Sequence, residues 1–577
     1  MILVRYGIAL LLALAPLSAP AQFAPPSRAT LAPIARAEAV SARNGMVVAQ
    51  EGRAARIGVA ILDRGGNAVD AAVAVGFALA VTYPRAGNIG GGGFMLIHRA
   101  AGNDNVAIDY RETAPAAATR TMFLDAGGEP DPAKSRDSAL SIGVPGTVAG
   151  LTLALAQYGS GNFSLAELIA PAIDLAEQGF PIEDDTADSL PQARERLARW
   201  PSTAGIFLKD GGAPLAAGDR LIQPDLANTL KTIAREGPNG FYQGMIASQI
   251  VAAVRSAGGI MSMDDLNNYR ALVRTPVRGH YRGYDIVSMP PPSSGGVHLV
   301  EMLNILEGYD LGKIGADQPQ SLHLLIEAMK RAYADRATFL GDPAAVKVPV
   351  KGLTSKSYAA ALRAGIGERA TPAAEIRPGN PDAYEGDNTT HFSVIDRAGN
   401  AVANTTTLNF SYGLGLVAAG TGVLLNNELD DFTAKSGAAN AFGLVGFDAN
   451  LPGPGKRPLS SMTPTIVLKD GKPVIVTGSP GGSRIISTVL QVIVNAVDFH
   501  MPIAAAVSAP RLHHQWQPDE VVAEPGFAPE LLQALEARGH KVVVRPPGTS
   551  ANSIAVTADG YIGAADTRTR GALAAGY

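Results

Sequence analysis

The chain has 577 residues, and 48 Lys and Arg against 52 Asp and Glu leave a formal net charge of −4. That balance offers no basic excess to neutralise phosphates, so nucleic acid has no electrostatic case. Hydrophobic residues at 46% and charged residues at 17% describe a globular body. The absence of cysteine removes disulfides, thiolate metal sites and cysteine nucleophiles together.

The first element is a leader. Arg5 precedes an apolar run from Tyr6 to about Leu17, and Ala19-Pro20-Ala21 supplies small residues for a cut before Gln22. This is the layout of a secretory signal peptide over 1–21. An uncleaved anchor fits less well, because the run is short and broken by Pro16. The mature protein is therefore expected to be exported and soluble, with the periplasm as first expectation and full secretion as the alternative. Gln22 to about Arg43, rich in Ala, Pro and Ser, reads as a loose segment.

Ala54–Asp63 predicts a helix that stops at Gly65-Gly66. Asn67 with Asp70 caps a second, running through Ala80. Gly90–Gly93 lacks the Lys-Ser/Thr of a phosphate loop and reads as close backbone packing, before strands at Phe94–Ile97 and Val106–Asp109. Ser164-Leu165-Ala166-Glu167 is a capping box with Phe163 as its staple, and that helix should end at Gly179. Leu226, Leu230 and Ile233 mark another helix, and Gln320–Leu340 a longer one. The first two-thirds is thus expected to be helix-rich with few strands.

Past the polar stretch Pro378–Asn388 the pattern changes. His391–Asp396 and Ala401–Thr407 read as strands joined by Arg397-Ala398-Gly399-Asn400. Asp470-Gly471 marks a hairpin turn between Thr465–Leu468 and Val474–Thr477. Ser483–Val497 is helical, and Lys541–Val544, Ser553–Val556 and Tyr561–Ala564 are short strands. Antiparallel strands with helices packed on them make an α+β fold.

Asn388-Thr389-Thr390-His391 sits where loop meets strand. A threonine hydroxyl is a weak nucleophile without a base. As the first residue of a chain, however, threonine carries its own base, because an α-amine titrates near pH ~8. That chemistry requires a cut between Asn388 and Thr389. Taken alone, a Thr-Thr pair opening a strand is ordinary β-propensity.

The surrounding residues change that reading. Thr389-Thr390-His391-Phe392-Ser393-Val394, then Gly399 through Asn409 and Tyr412-Gly413, resembles the small-subunit signature of the γ-glutamyltranspeptidases. Asp109-Tyr110-Arg111-Glu112, Pro290–Gly296, Asn426–Phe432, Arg457–Met462 and Gly478–Arg484 resemble further blocks of that family, in family order. The resemblance implies an N-terminal nucleophile hydrolase with a four-layer αββα core, built jointly by two subunits of one precursor. These would be a large subunit over 22–388 and a small one over 389–577, held together as a heterodimer.

It also implies roles. Thr389 is the nucleophile and Thr407 its hydroxyl partner; a simple pairing across the four-residue loop sets Thr407 opposite Thr390. Gly481 and Gly482 form the oxyanion hole, and glycine before a helix suits that task because no Cβ blocks approach to the amides. Arg111 grips the α-carboxylate of a glutamyl group through its planar fork, Ser460 and Ser461 donate to it, and Asp431 takes the ammonium with Glu428 and Asn409. No cofactor or metal is implied. His513-His514 lack zinc-ligand spacing and are read as structural, and His391 receives no catalytic part.

Two departures stand out. Phe442 occupies a lid-like loop where several bacterial members have tyrosine, and Glu428 stands where some have glutamine. The expected reaction is hydrolysis or transfer of the γ-glutamyl group of glutathione and related donors to water, amino acids or dipeptides. The alternatives are a glutaryl or cephalosporin-type acylase of the same fold and a catalytically inactive binding homologue.

Overall fold

The structure is a computed structural model and describes residues 34–380, 390–546 and 548–577. The expected signal peptide, Asn388 and Thr389 lie outside these residues.

Two seven-stranded antiparallel sheets dominate. The first runs Leu573–Gly576, Met46–Ala49, Thr390–Ile395, Ala401–Thr407, Gly92–Arg99, Asp104–Asp109, Leu272–Arg274. The second runs Ala39–Ala42, Gly560–Ala564, Ser553–Thr557, Lys472–Thr477, Thr465–Lys469, Tyr284–Ser288, Val277–Tyr281. Both sheets combine strands from before and after the polar stretch.

The strand period of two sorts side chains between faces. Val48, Phe94, Leu96 and Ala403 from the first sheet join Val287, Ile466, Val476 and Ile554 from the second in one apolar cluster. Their neighbours point the other way. Val47, Met95, Ile97, Phe392 and Val402 pack with the helices Gly52–Asp63 and Ala68–Thr82. Ile286, Val467 and Ile475 pack with Gly295–Leu306, Pro319–Phe339 and Ile485–Val497. Strands covered on both faces read as near-continuous apolar runs rather than clean alternation.

Local signals hold where they are strong. Asn67 and Ser164 both close reciprocal capping boxes, with Asp70 and Glu167 respectively. Gly179 ends its helix at φ 69°. Asp470 and Gly471 take φ 50° and 75°, the left-handed pair a two-residue hairpin demands.

Three expectations need correction. Ala39–Ala42 is not loose leader: it pairs with Tyr561–Ala564 at the edge of the second sheet. The first two-thirds also contributes Met46–Ala49 and the hairpin Val277–Tyr281 with Tyr284–Ser288, which were not anticipated. Finally, the central hairpin is one residue out of the simple register, because Asp396 belongs to the turn. Its N–H donates to the Asn400 carbonyl, its Oδ1 accepts from the Ala398 and Asn400 N–H groups, and Gly399 sits at φ 86°. Ile395 therefore faces Ala401, and Thr390 faces Thr406 rather than Thr407.

Candidate active site

The central hairpin carries Thr407 to the head of the first sheet, where the glycine run at 90–93 flanks it. A Cβ on Gly91 would stand 2.0 Å from the Thr407 carbonyl oxygen, and one on Gly93 2.3 Å from that of Thr405. Only glycine admits so close a strand, as the packing reading required. Asn88 Nδ2 donates to the Thr407 carbonyl at 2.7 Å, and Thr407 Oγ1 accepts from the Asn409 N–H at 2.8 Å. Asn409 itself is left-handed, at φ 75°.

Gly481 and Gly482 come from the second sheet. The strand Lys472–Thr477 leads through Gly478-Ser479-Pro480 to a 3-10 turn, Gly482–Arg484, that opens the helix Ile485–Val497. Gly481 adopts φ 130° and Gly482 φ 63°, conformations that other residues rarely take. Neither N–H donates a hydrogen bond among the described residues. Two free amides beside a space are suited to a developing oxyanion.

That space is a cavity of about 800 Å³ whose lining includes Thr407, Asn409, Gly481 and Gly482. Phe442 lies in the same wall, its ring stacked on Phe410 at 5.4 Å. Asn409 Nδ2 donates to the Asn427 carbonyl at 3.1 Å, while Asn409 Oδ1 is buried and has no partner among the described residues. Phenylalanine at 442 offers that oxygen no hydroxyl.

The remaining site residues meet elsewhere. Arg111, wholly buried, donates through Nη1 to Glu428 Oε1 and through Nη2 to Asp431 Oδ2 at 2.6 Å. Its Nε donates to the Pro458 carbonyl at 3.1 Å. Ser460 and Ser461 are buried in the adjoining segment, and Ser460 Oγ has no partner among the described residues. None of Arg111, Glu428, Asp431, Ser460 or Ser461 lines the cavity. The structure thus joins Arg111, Glu428 and Asp431 directly to one another in a closed ion cluster.

Glu112 closes the Asp109-Tyr110-Arg111-Glu112 motif beside Arg111. It stands 3.8 Å from Arg111 Nη1, and neither carboxylate oxygen has a hydrogen-bond partner among the described residues. Burial raises its pKa to about 8, with Arg111 pulling the other way. Burial likewise raises Glu428 well above the ordinary carboxylate value. The cluster therefore sits on the side of excess acid, and additional positive charge would stabilise it.

His391 and His513 are neutral packing groups. Burial lowers His391 and His513 to about 3. His391 Nδ1 lies 3.0 Å from Thr405 Oγ1 and Nε2 2.9 Å from Ser393 Oγ, while His513 Nδ1 lies 2.9 Å from Ser487 Oγ. Because these folded values fall below the ordinary histidine value, the unfolded chain takes up protons first as pH drops. Stability is expected to be full above pH ~6.5 and to fall below it, by up to about 2 kcal/mol for each histidine at pH ~5. Urea midpoints between pH 8 and 5 check this, and His391→Asn should flatten the slope; an unchanged slope would remove His391 from the account.

Among the described residues, one group has metal-ligand spacing: His323, Glu327 and His540, within 4.8 Å. Its ligand atoms are already used. His323 Nδ1 lies 2.8 Å from His540 Nε2, and Glu327 pairs with Lys330 at 3.0 Å and Arg331 at 2.7 Å, cations that oppose a metal ion.

A sequence model of the family described as Gamma-glutamyltranspeptidase matches residues 54–576. The chain is 53% identical over 541 residues to a glutathione hydrolase proenzyme of Escherichia coli (strain K12), covering 93% of each. Its fold is similar to the crystal structure of a cephalosporin acylase from Bacillus halodurans, with a TM-score of 0.84 at 29% identity over 96% of this chain and 99% of that one. It is also similar to the γ-glutamyltranspeptidase of Helicobacter pylori, at TM-score 0.58 and 46% identity, over 60% of this chain and 99% of that one.

Proposed function

The chain belongs to the gamma-glutamyltranspeptidase family, and from that premise we propose that it is a precursor which cuts itself before Thr389 and then hydrolyses or transfers the γ-glutamyl group of glutathione. The observation that carries the reading is convergence. Thr407 and Asn409 from one sheet, and Gly481-Gly482 from the other, line one cavity. The two sheets packed face to face, with helices outside, support the four-layer αββα arrangement of N-terminal nucleophile hydrolases.

The chemistry follows from the groups. Thr390, the residue after Thr389 in sequence, pairs with Thr406, the neighbour of Thr407. Before the cut, Thr389 Oγ attacks the Asn388 carbonyl and the Asn388–Thr389 C–N bond breaks, which gives an ester and frees the Thr389 amine; water then hydrolyses the ester to the Asn388 carboxylate and restores the Thr389 hydroxyl. That amine then takes the hydroxyl proton as Oγ attacks the γ-glutamyl carbonyl. The Gly481 and Gly482 amides receive the oxyanion. The amine returns its proton to the departing cysteinylglycine nitrogen, and water or another amine resolves the glutamyl ester.

For glutamate recognition, Arg111 exchanges a carboxylate partner for the donor's α-carboxylate, with Ser460 and Ser461 beside it. The donor's ammonium then supplies Asp431 and Glu428 with the positive charge they lose. Trading like for like keeps the buried charges compensated. This exchange disfavours a glutaryl acylase, whose substrate brings a carboxylate and no ammonium. Asp431→Asn is accordingly expected to lower kcat/KM for γ-glutamyl donors at least tenfold more than for glutaryl analogues, and equal losses would take Asp431 out of the ammonium site.

Among the described residues no helix is long and apolar enough to cross a membrane. The signal-like leader supports an exported, periplasmic enzyme, and the strands that both sides of the proposed cut contribute to each sheet support two paired subunits. The reaction is tested by incubating the purified mature protein with glutathione without added metal. Release of both glutamate and cysteinylglycine is expected. A cut protein that releases neither would defeat the substrate assignment.

A further inference from the structure

Four arginines line the cavity, and three have carboxylate partners. Arg85 donates to Asp185 at 2.7 Å, Arg545 to Glu520 at 2.6 Å, and Arg568 to Glu524 at 2.6 Å and Asp566 at 3.1 Å. Arg484 differs. Its guanidinium makes no hydrogen bond or ion pair among the described residues. Glu524 attracts it at range, but both oxygens of Glu524 already accept from Arg568, and one also from the Arg511 N–H. Burial, and then the charge of Arg545, lower the pKa of Arg484. A half-buried guanidinium facing another cation, with no anion of its own, is a costly arrangement that a bound anion would relieve.

The position of this charge is informative. Arg484 closes the 3-10 turn that begins at Gly482. Its Nη1 lies 2.9 Å from where a Cβ on Gly548 would stand, and a Cβ on Gly481 would meet the Gly548 carbonyl at 2.7 Å and Thr549 Cγ2 at 2.5 Å. Arg484 and Gly481 thus bracket one short segment, Gly548-Thr549. The Arg111 cluster, assigned above to the charges on the glutamate α-carbon, is outside the cavity lining, whereas Arg484 is within it. A γ-glutamyl peptide carries one more anionic group, the carboxylate at the end of its leaving portion. Two extended residues span about 7 Å, a distance that an arginine two residues beyond Gly482 can bridge.

We propose that Arg484 binds the carboxylate on the leaving side of the scissile amide, belonging to an amino acid or short peptide, first as leaving group and then as acceptor. The planar fork of arginine matches that group with two parallel hydrogen bonds. The proposal rests on the γ-glutamyl reading above and deepens it. It makes the enzyme selective for acceptors that carry a free carboxylate over their amides or simple amines.

The test compares three donors in the mature protein: glutathione, glutathione amidated at its glycine carboxylate, and a γ-glutamyl anilide, which has no carboxylate on its leaving group. Wild type is expected to prefer glutathione to the amide by about tenfold or more in kcat/KM, chiefly through KM; tenfold corresponds to about 1.4 kcal/mol. In Arg484→Gln that preference should fall at least fivefold, with Arg484→Lys between. Equal turnover of glutathione and amide by wild type, or an unaltered preference in Arg484→Gln, would overturn the role of Arg484. Should Arg484→Gln fail to mature, the wild-type ratio and Arg484→Lys still decide. A wild-type protein inert toward all three donors would instead overturn the proposed function.

Discussion

Thr389→Ala is expected to yield one uncut chain on a denaturing gel and to lower glutathione hydrolysis by on the order of 10³-fold or more. Both losses have one cause. Alanine has no Oγ to attack the Asn388 carbonyl, so the amine that would serve as base is never freed, and no nucleophile remains for substrate. Thr389→Ser separates the two steps, because it keeps an oxygen at the same position: slow cutting with partial activity is expected. Two mature-size chains from the alanine protein would place the cutting chemistry outside Thr389. Cut yet inactive serine protein would mean that the methyl group matters to turnover but not to maturation.

The second large effect is on stability. Arg111→Gln is expected to cost about 3–5 kcal/mol, because it strips the cation from a buried cluster holding Glu112, Glu428 and Asp431. The loss should depend on pH. Burial already raises Glu112 to about 8 and Glu428 well above its ordinary value, and Arg111 is the charge that holds both down. Without it their folded values rise further. A carboxyl group whose folded pKa lies above its unfolded one stabilises below the unfolded value and loses that contribution as pH rises through the folded value. The deficit relative to wild type should therefore be largest near pH 8 and shrink toward pH 5. Urea titration of both proteins at the two pH values measures it, and a deficit equal at both would mean that the charge of Arg111 is not what stabilises the cluster.

How far the sequence speaks depends on the range of the force involved. Asn67, Ser164 and Asp470-Gly471 act within three or four residues, and each does what its local chemistry demands. Ala39–Ala42 and Met46–Ala49 are four-residue strands with no usable period; they exist because distant strands offer them partners. The hairpin register turned on whether Asp396 was strand or turn, a matter decided by its side-chain hydrogen bonds. The site residues were legible as motifs, whereas their division between an open cavity and a closed ion cluster was not, because contacts 317 and 320 residues apart decide it. Arg484 was visible in the motif Gly478–Arg484, but only the positions of Arg545, Glu520 and Glu524 show that it has no anion partner among the described residues.

The strand order has a consequence for the molecule once cut. In the first sheet, Thr390–Ile395 and Ala401–Thr407 lie between Met46–Ala49 and Gly92–Arg99, and Leu573–Gly576 lies on the far side of Met46–Ala49. Neither piece owns a complete sheet, so separating them amounts to unfolding both. Before the cut, refolding is a one-molecule event, independent of concentration. Afterwards it requires two chains to meet, so its rate falls on dilution, and the orphaned pieces expose unpaired strand edges while they wait. The proposed cut before Thr389 would therefore leave an enzyme whose persistence is governed by how slowly it unfolds, with little prospect of recovery once it has.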